Sequence, residues 1–483
     1  MIGAPTLEIA VLVLGLVVLM VEAFAEKIEK RSLAIVAILG LGIVLCASFF
    51  LSPQPPAAAT GFWSFYTADP LAIFFKRFAL VTTILVLIMM IDYAPTVRQS
   101  IHGATHQSGL GEFFALPLFT CAGLMWMASA VDFVMIFVSL EVVTMSFYVL
   151  VAFTRRNPAS LEAGVKYLIL SALSTGFLVY GITWIFGVTG QTNLARIADV
   201  LRTSSVEQGP ALFGMALVMV ALGFKIAAVP FQIWVPDVYQ GAPTPVTAYL
   251  SVGSKAAGFV VLLRVLEPFF MFPQMQRLLV VLAALTLIYG NLAALPQTNL
   301  KRLLAYSSIA HAGYLLVGVV SLAGAAVSFY LVSYLLMTML SFAVLIVVAN
   351  QTGDRLEDFN GLATRSPFLS FAMLMAMASL AGIPFTAGFL GKFFIFDAAI
   401  RQHQTMLLVV GVITVACGFY YYLKVVRAMY WETSASSEPI ALSGLSRVSM
   451  IALMAGIVGL GVYPQPILNA LRPAAQVSSA ANR

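Results

Sequence analysis

The sequence predicts an all-α polytopic membrane protein of about fourteen transmembrane helices, and three observations carry that prediction. Apolar residues make up 61% of the 483 residues and charged residues only 10%. The mean hydropathy is +0.97. Apolar runs of about 20 residues, long enough to cross a bilayer, recur along the whole chain. Soluble domains carry about 25% charged residues, so this chain has too little charge to cover a water-facing surface. A soluble enzyme, a disordered protein and a nucleic-acid binder are thereby excluded. The net charge of +6 points to no acidic partner, because in a membrane protein the placement of Lys and Arg matters more than their number.

The first apolar run, 6–24, lacks a basic leader and a small-residue cleavage site, so it reads as a retained span and not as a signal peptide. Further runs follow at 33–52, 70–91, 112–130, 132–154, 161–189, 210–231 and 244–267. The second half adds 273–294, 302–323, 325–350, 367–400, 404–430 and 445–470. An even number of spans puts both termini on one side. One set of alternate loops holds twelve cations, among them Lys27, Lys30, Arg31, Lys301 and Arg302. The other holds nine, among them Lys76, Arg77, Arg264, Arg472 and Arg483. The richer side is expected to be cytoplasmic, with both termini outside. Of the 26 basic residues, five lysines remain inside the spans: Lys166, Lys225, Lys255, Lys392 and Lys424.

Two spans are interrupted in a related way. The seventh reads GFKIAAVPFQIWVPDVYQGAPTPV, with Pro230 and Pro236 in or just beyond the helix. Pro230 has no N–H to offer the carbonyl of Ile226, one residue after Lys225. The twelfth reads AGIPFTAGFLGKFFIF, where Pro384 and three glycines precede Lys392. Bare carbonyls at membrane depth are tolerated only inside protein or beside a water-filled cavity. Either proline alone could be a packing kink. The matched pair, each with a lysine, points to an ion site between inverted repeats. The expected division is a three-helix segment 1–111, five-helix repeats 112–267 and 268–430, and a final helix and tail 431–483. Five spans per repeat force the second copy to be inverted.

A charge at the centre of a lone spanning helix costs about 2.5–3.5 kcal/mol on insertion scales. Glu141, in DFVMIFVSLEVVTMSFYVLVAFT, is too far from either end to snorkel. Lys225 and Lys392 accompany the two breaks. Lys255, in AYLSVGSKAAGFVVLL, is flanked by small residues that let helices or water approach. These four are the candidate proton carriers, with structural salt bridges as the bland alternative. Lys166 lies close enough to its helix start to snorkel. His311, in SSIAHAGY, suits a helix contact as well as a relay. Lys424 reads as an interfacial anchor, Asp397 as a near-interface acid, and the aromatics of YYYLKVVRAMYW as a membrane belt. Burial moves a lysine's titration toward neutral pH, and a nearby carboxylate moves it back. A Glu141–Lys225 pair that forms and breaks would therefore take up and release a proton. No oxygen-rich cage for sodium or calcium is present. The three cysteines read as small buried hydrophobes, and neither a metal site nor a cofactor site is read in this chain.

KIAAVPFQIWVPDVYQGAPTPVTAYLSVGSK, NLKRLLAYSSIAHAGYLLVG and AGIPFTAGFLGKFFIF together resemble the antiporter-like membrane subunits of bacterial NADH–quinone oxidoreductase, respiratory complex I. Within them the subunit N group is the most similar. The resemblance runs along nearly the whole chain. It implies fourteen helices with two inverted five-helix repeats, in the bacterial inner membrane. It also implies proton translocation driven by electron transfer elsewhere. NADH, FMN, iron–sulfur clusters and quinone are then expected in partner subunits, with sibling antiporter-like subunits alongside. It makes Glu141 the fifth-helix glutamate, Lys225 and Lys255 the seventh- and eighth-helix lysines, and Lys392 the ionisable residue of the broken twelfth. Lys166 matches a sixth-helix lysine with a modulating role. A lysine at 392, with no long extension after Arg472, favours subunit N over its siblings. One departure is Gln232, where relatives often have His; Gln cannot carry a proton. The alternatives are a Mrp-type cation/proton antiporter subunit and a scaffold subunit whose buried ions only fix helix register.

Overall fold

The computed structural model describes residues 5–24, 30–53, 63–102, 110–203, 207–433 and 438–471. Lys27, Arg472 and Arg483, used above for orientation, lie outside the described residues. The first helices are α1 (Thr6–Phe24), α2 (Lys30–Ser48), α3 (Pro70–His102), α4 (Leu110–Ser129), α5 (Phe133–Val151) and α6 (Pro158–Thr189). A short helix, α7 (Leu194–Thr203), buries Leu194, Ile197 and Leu201 on one face. Then come α8 (Gln208–Ile226), the half-helix α9 (Val235–Gly241), α10 (Thr244–Tyr249), a π-helical turn Leu250–Ser254 and α11 (Lys255–Leu266). The second half contains α12 (Pro273–Ala294), α13 (Leu300–Val320), α14 (Gly324–Ala349) and the single turn α15 (Leu362–Arg365). It ends with α16 (Pro367–Ala381), α17 (Ala387–Arg401), α18 (Thr405–Trp431) and α19 (Gly444–Val462).

Thirteen helices among the described residues are long and apolar enough to cross a membrane. The expected run 367–400 is two half-helices, α16 and α17, neither of them among the thirteen. Local chemistry sets the ends. Asp132, Asn157, Asn299, Thr386 and Ser443 each cap a helix N-terminus with a side-chain oxygen, satisfying donors that have no intrahelical partner. The C-terminus of α16 closes on Gly382 at φ 92, a left-handed conformation that glycine adopts without strain.

Burial grades from centre to rim. α13 is buried at every position but Arg302, and α10–α11 and α14 are nearly as enclosed, whereas α1, α2, α6 and α19 leave most of their surface outward. An apolar helix exposed in this way suits a lipid-facing position. Within the bundle, small residues let backbones touch. A Cβ on Gly181 would lie 2.5 Å from the Gly214 carbonyl, so α6 meets α8 in direct backbone contact. A Cβ on Gly290 would lie 2.5 Å from the Ala310 amide, which draws α12 against α13.

Candidate functional site

Lys225 lies in the last turn of α8 and is 5% exposed. Its Nζ donates to Thr144 Oγ1 of α5 at 3.1 Å. Thr144 is one turn along α5 from Glu141, whose Oε1 accepts from Thr175 Oγ1 of α6 at 2.7 Å. No direct Glu141–Lys225 contact is made; a threonine hydroxyl holds each charge instead. Ala227 at φ 67 ends α8, and the amide of Ala228 donates to the Gly223 carbonyl at 2.8 Å. Pro230 therefore follows a completed helix end and does not interrupt a helix, correcting the expectation that the proline itself strips the Ile226 carbonyl. Trp234 Nε1 closes the break by donating to the Phe224 carbonyl at 3.1 Å. Gln232 is buried, and its Oε1 has no hydrogen-bond partner.

Lys255 opens α11 directly after the π turn. Such turns appear frequently at functional sites because they reset the helix face. The Lys255 ammonium donates to the carbonyl and the hydroxyl of Ser308 on α13, and it lies 5.4 Å from the Tyr334 ring centroid. Ser307, the next residue back, bonds the Tyr422 hydroxyl. Tyr422 Oη is 3.1 Å from His311 Nε2, and Tyr330 Oη is 2.6 Å from His311 Nδ1. A neutral imidazole has one donor and one acceptor nitrogen. The two tyrosines therefore take opposite roles, and a tautomer change exchanges them.

Lys392, 6% exposed, completes the row from α17. Its Nζ donates to the carbonyls of Leu380 and Ala381 at 2.8 and 2.9 Å. These end α16, where the helix dipole places the equivalent of about half a negative charge. The break thus supplies the counter-charge. The Tyr314 ring centroid lies 5.1 Å from Nζ, and Tyr314 is one turn beyond His311 on α13. Lys225 joins the row through its stem: a Cβ on Gly258, one turn after Lys255, would lie 3.4 Å from Lys225 Cγ.

Two candidates sit off this row. Glu141 is half-buried, on a face where Val138 and Val142 are exposed. Lys166 is 40% exposed and bonds Glu162 and Asp237, each at 2.7 Å. Arg302 reaches the other oxygen of Asp237 at 2.9 Å. Other cations read as loop residues prove to lie within helices, Lys30, Lys76 and Lys301 buried and Arg264 partly so. Lys30 pairs with Glu22 at 2.6 Å, Lys76 with Glu8 at 2.8 Å, and Lys301 donates to the Ala242 carbonyl at 2.7 Å. Arg264 grips Asp69 with two nitrogens, at 2.9 and 2.8 Å. Burial alone would push the Asp69 carboxyl up, but Arg264, with the Ala72 amide and Lys76, together hold it below the usual carboxylate range. These residues were misread because each stands within two turns of a helix end, where sequence cannot separate a loop charge from a buried one. Lys424 is half-buried and donates to the Gln297 carbonyl at 3.1 Å.

Sequence reasoning also missed the hydroxyls of the row. Tyr421 and Tyr422 are buried, unlike the exposed Tyr420, Tyr430 and Trp431 of the same stretch, so only part of it forms a membrane belt. A signal for Ser307 and Ser308 was present: they precede His311 by four and three residues, on one helix face. Among the described residues no three His, Cys, Asp or Glu side chains converge on a metal-sized site.

Residues 130–418, which include Glu141, Lys225, Lys255, His311 and Lys392, match the family described as NADH:quinone oxidoreductase/Mrp antiporter, transmembrane. The chain belongs to this family. It is 38% identical over 478 residues to the NADH-quinone oxidoreductase subunit N of Desulforamulus reducens, covering 98% of this chain and 97% of that protein. Among solved structures it is similar to a chain of respiratory complex I from Thermus thermophilus, with 32% identity and a TM-score of 0.81 over 96% of this chain and 98% of that one. A chain of the Mrp complex from Dietzia sp. DQ12-45-1b shares the fold, at 21% identity and a TM-score of 0.81, over 97% and 96%. The match to the family thus covers the two interrupted spans and leaves α1–α4, the end of α18 and α19 outside it.

Proposed function

We propose that this chain carries protons across the membrane along the row Lys225, Lys255, His311 and Lys392, as the subunit-N-type membrane component of a proton-translocating NADH:quinone oxidoreductase. One observation carries the reading. Lys225, Lys255 and Lys392 are enclosed, no carboxylate lies within ion-pair distance of them among the described residues, and hydroxyls, carbonyls and His311 hold or join them. A lasting structural ion pair would need an acid at each; a group that alternates between ammonium and amine does not. Electron transfer from NADH to quinone takes place in partner subunits, which hold the FMN and iron–sulfur clusters. Glu141 tunes Lys225 through its position on α5, Lys255 passes the proton along the mid-plane, and Lys392 exchanges it with one side. Lys166 modulates from the rim. The half-buried Glu141 face suits a sibling antiporter-like subunit packed against α5.

The same reading makes α16 and α17 together the fourteenth crossing. It divides the chain into a three-helix segment 1–111, inverted repeats 112–267 and 268–430 and a final helix and tail 431–483. Both termini then face outward from a bacterial inner membrane. The identity to subunit N relatives supports this over a Mrp-type antiporter, for which the likeness is one of fold. Co-purification of the chain with an NADH-oxidising arm separates the two. In the assembled complex, Lys392→Ala should lower proton pumping and coupled quinone reduction without loss of assembly. Normal pumping would remove Lys392 from the route, and loss of assembly alone would favour a scaffold.

A further inference from the structure

We propose that Glu8, Tyr66 and Lys76 form a second proton-exchange site, at the membrane face where α1 begins, joined inward to the Lys255 region through Thr83 and Tyr249. The proposal rests on the translocation reading above. Glu8 and Lys76 are 1% and 2% exposed, and Nζ lies 2.8 Å from Glu8 Oε1. Tyr66 Oη donates to the same oxygen at 3.1 Å and accepts from Lys76. Its ring centroid is 4.7 Å from the ammonium. Three groups that can each carry a proton therefore close a triangle. All three lie outside the residues matched by the family.

Unpaired atoms gather in the same corner. Seven buried side-chain polar atoms among the described residues have no hydrogen-bond partner, and four of them are Glu8 Oε2, Thr67 Oγ1, Ser129 Oγ and Arg264 Nε. The loop before α3 ties them together: the Thr67 amide donates to the Ser129 carbonyl at 2.8 Å, and Asp69 binds Arg264. Buried polar atoms of this kind are satisfied by internal water. A purely structural salt bridge gains nothing from leaving one carboxylate oxygen unpaired, whereas a carboxylate that gives protons to water needs that oxygen free.

The inward link starts on α3. Thr83 lies two turns beyond Lys76 on the same face and sits 2.7 Å from Tyr249 Oη. Tyr249 precedes the π turn, where Ser251 bonds Tyr334 at 2.8 Å, the ring beside Lys255. The step balances simply. Lys76 passes its proton to Glu8, directly or through the Tyr66 hydroxyl, leaving an amine and a neutral acid. Glu8 releases that proton to water at the near face and returns to carboxylate. The Lys76 amine is recharged by a proton given up by the Lys255 ammonium, relayed past Tyr249 and Thr83 and carried by internal water over the two turns of α3 that separate Thr83 from Lys76.

The test uses the whole membrane complex containing this chain. Tyr66→Phe keeps the ring against Trp126, 5.6 Å away, and removes only the hydroxyl. The neutral pair Glu8→Gln with Lys76→Met removes both charges at once and strands neither. Both variants should assemble and reduce quinone when uncoupled, yet lose protons moved per NADH oxidised. Proton transfer through this chain should fall roughly 10²-fold in the neutral pair. Wild-type stoichiometry in either variant would make the triangle a structural staple, and failure of the neutral pair to assemble would do the same. Lys392→Ala is measured alongside. If it loses pumping while Tyr66→Phe does not, only this proposal falls; if both pump normally, the translocation reading falls with it.

Discussion

Lys225 and Lys392 each place an ammonium beside a broken helix, but from opposite sides of the break and with different partners. Lys225 precedes its break and is held by Thr144, a hydroxyl on a different helix, 3.1 Å away. Lys392 follows its break and is held by the Leu380 and Ala381 carbonyls of its own span. A hydroxyl on a neighbour departs whenever that helix slides or turns. Backbone carbonyls beside a break move only when the break itself rearranges. The first lysine is therefore tied to the position of α5, and hence to Glu141. The second is tied to the conformation around Gly382. A shift of α5 would be felt at once by Lys225 and only through the row by Lys392.

The largest expected effect separates charge from proton exchange at both lysines. Arg keeps its charge but does not release its proton in proteins. Lys225→Arg and Lys392→Arg should therefore behave as Lys392→Ala does, with proton transfer down by roughly 10²-fold or more. Proton uptake into vesicles, normalised to assembled complex, is the measurement. If Lys392→Arg pumps normally while Lys225→Arg does not, the second break holds a fixed charge and only the first exchanges protons.

A steric probe comes next. A Cβ on Gly391 would lie 2.2 Å from Tyr330 Cδ2, so Gly391→Ala must push Tyr330 off His311. Overpacking of this sort costs about 1–3 kcal/mol, and it should lower both the thermal stability of the complex and its pumping. Gly258→Ala probes the first lysine: its nearest contact is the Ile226 Cγ2 methyl at 2.9 Å, with Lys225 Cγ at 3.4 Å. Its effect should be the smaller, because a side-chain end yields more readily than an aromatic ring hydrogen-bonded at its tip. Thr144→Val removes the hydroxyl from Lys225 and leaves the shape. A lost hydrogen bond of this type is worth about 0.5–1.5 kcal/mol, read as a shift in the pH profile of pumping. No side-chain substitution can do the same at Lys392, whose partners are backbone.

How much of this was legible in the sequence follows from what each residue depends on. The spans could be read because crossing a bilayer needs about 20 apolar residues, a local property. Lys225, Lys255 and Lys392 could be read because a charge in such a run is costly wherever its partners lie. Tyr422 could not: a tyrosine near a helix end has the same local pattern whether it faces lipid or His311. Lys76 could not either, since Glu8 and Tyr66, which enclose it, come from separate segments. The π turn before Lys255 has no local signature, because it packs against α3 and α14, which are distant in sequence.

The smallest expected effect lies at the rim, where the two interrupted spans again differ. Asp237 on α9 accepts from Lys166 of α6 and Arg302 of α13, so one carboxylate ties three elements together. Asp397 on α17 meets only Arg401 of its own helix, at 2.8 Å. All of these side chains are at least 31% exposed, so water and salt screen them. Asp237→Asn should lower stability by about 1 kcal/mol or less, since exposed pairs rarely exceed that. The difference from the unsubstituted complex should shrink as salt is raised. Asp397→Asn should leave the melting temperature where it was. An Asp237→Asn complex that melts normally at low salt but loses pumping would place Asp237, with Lys166, on the route taken by the proton. The first break would then draw on the rim for its proton, and the second would have no equivalent supply.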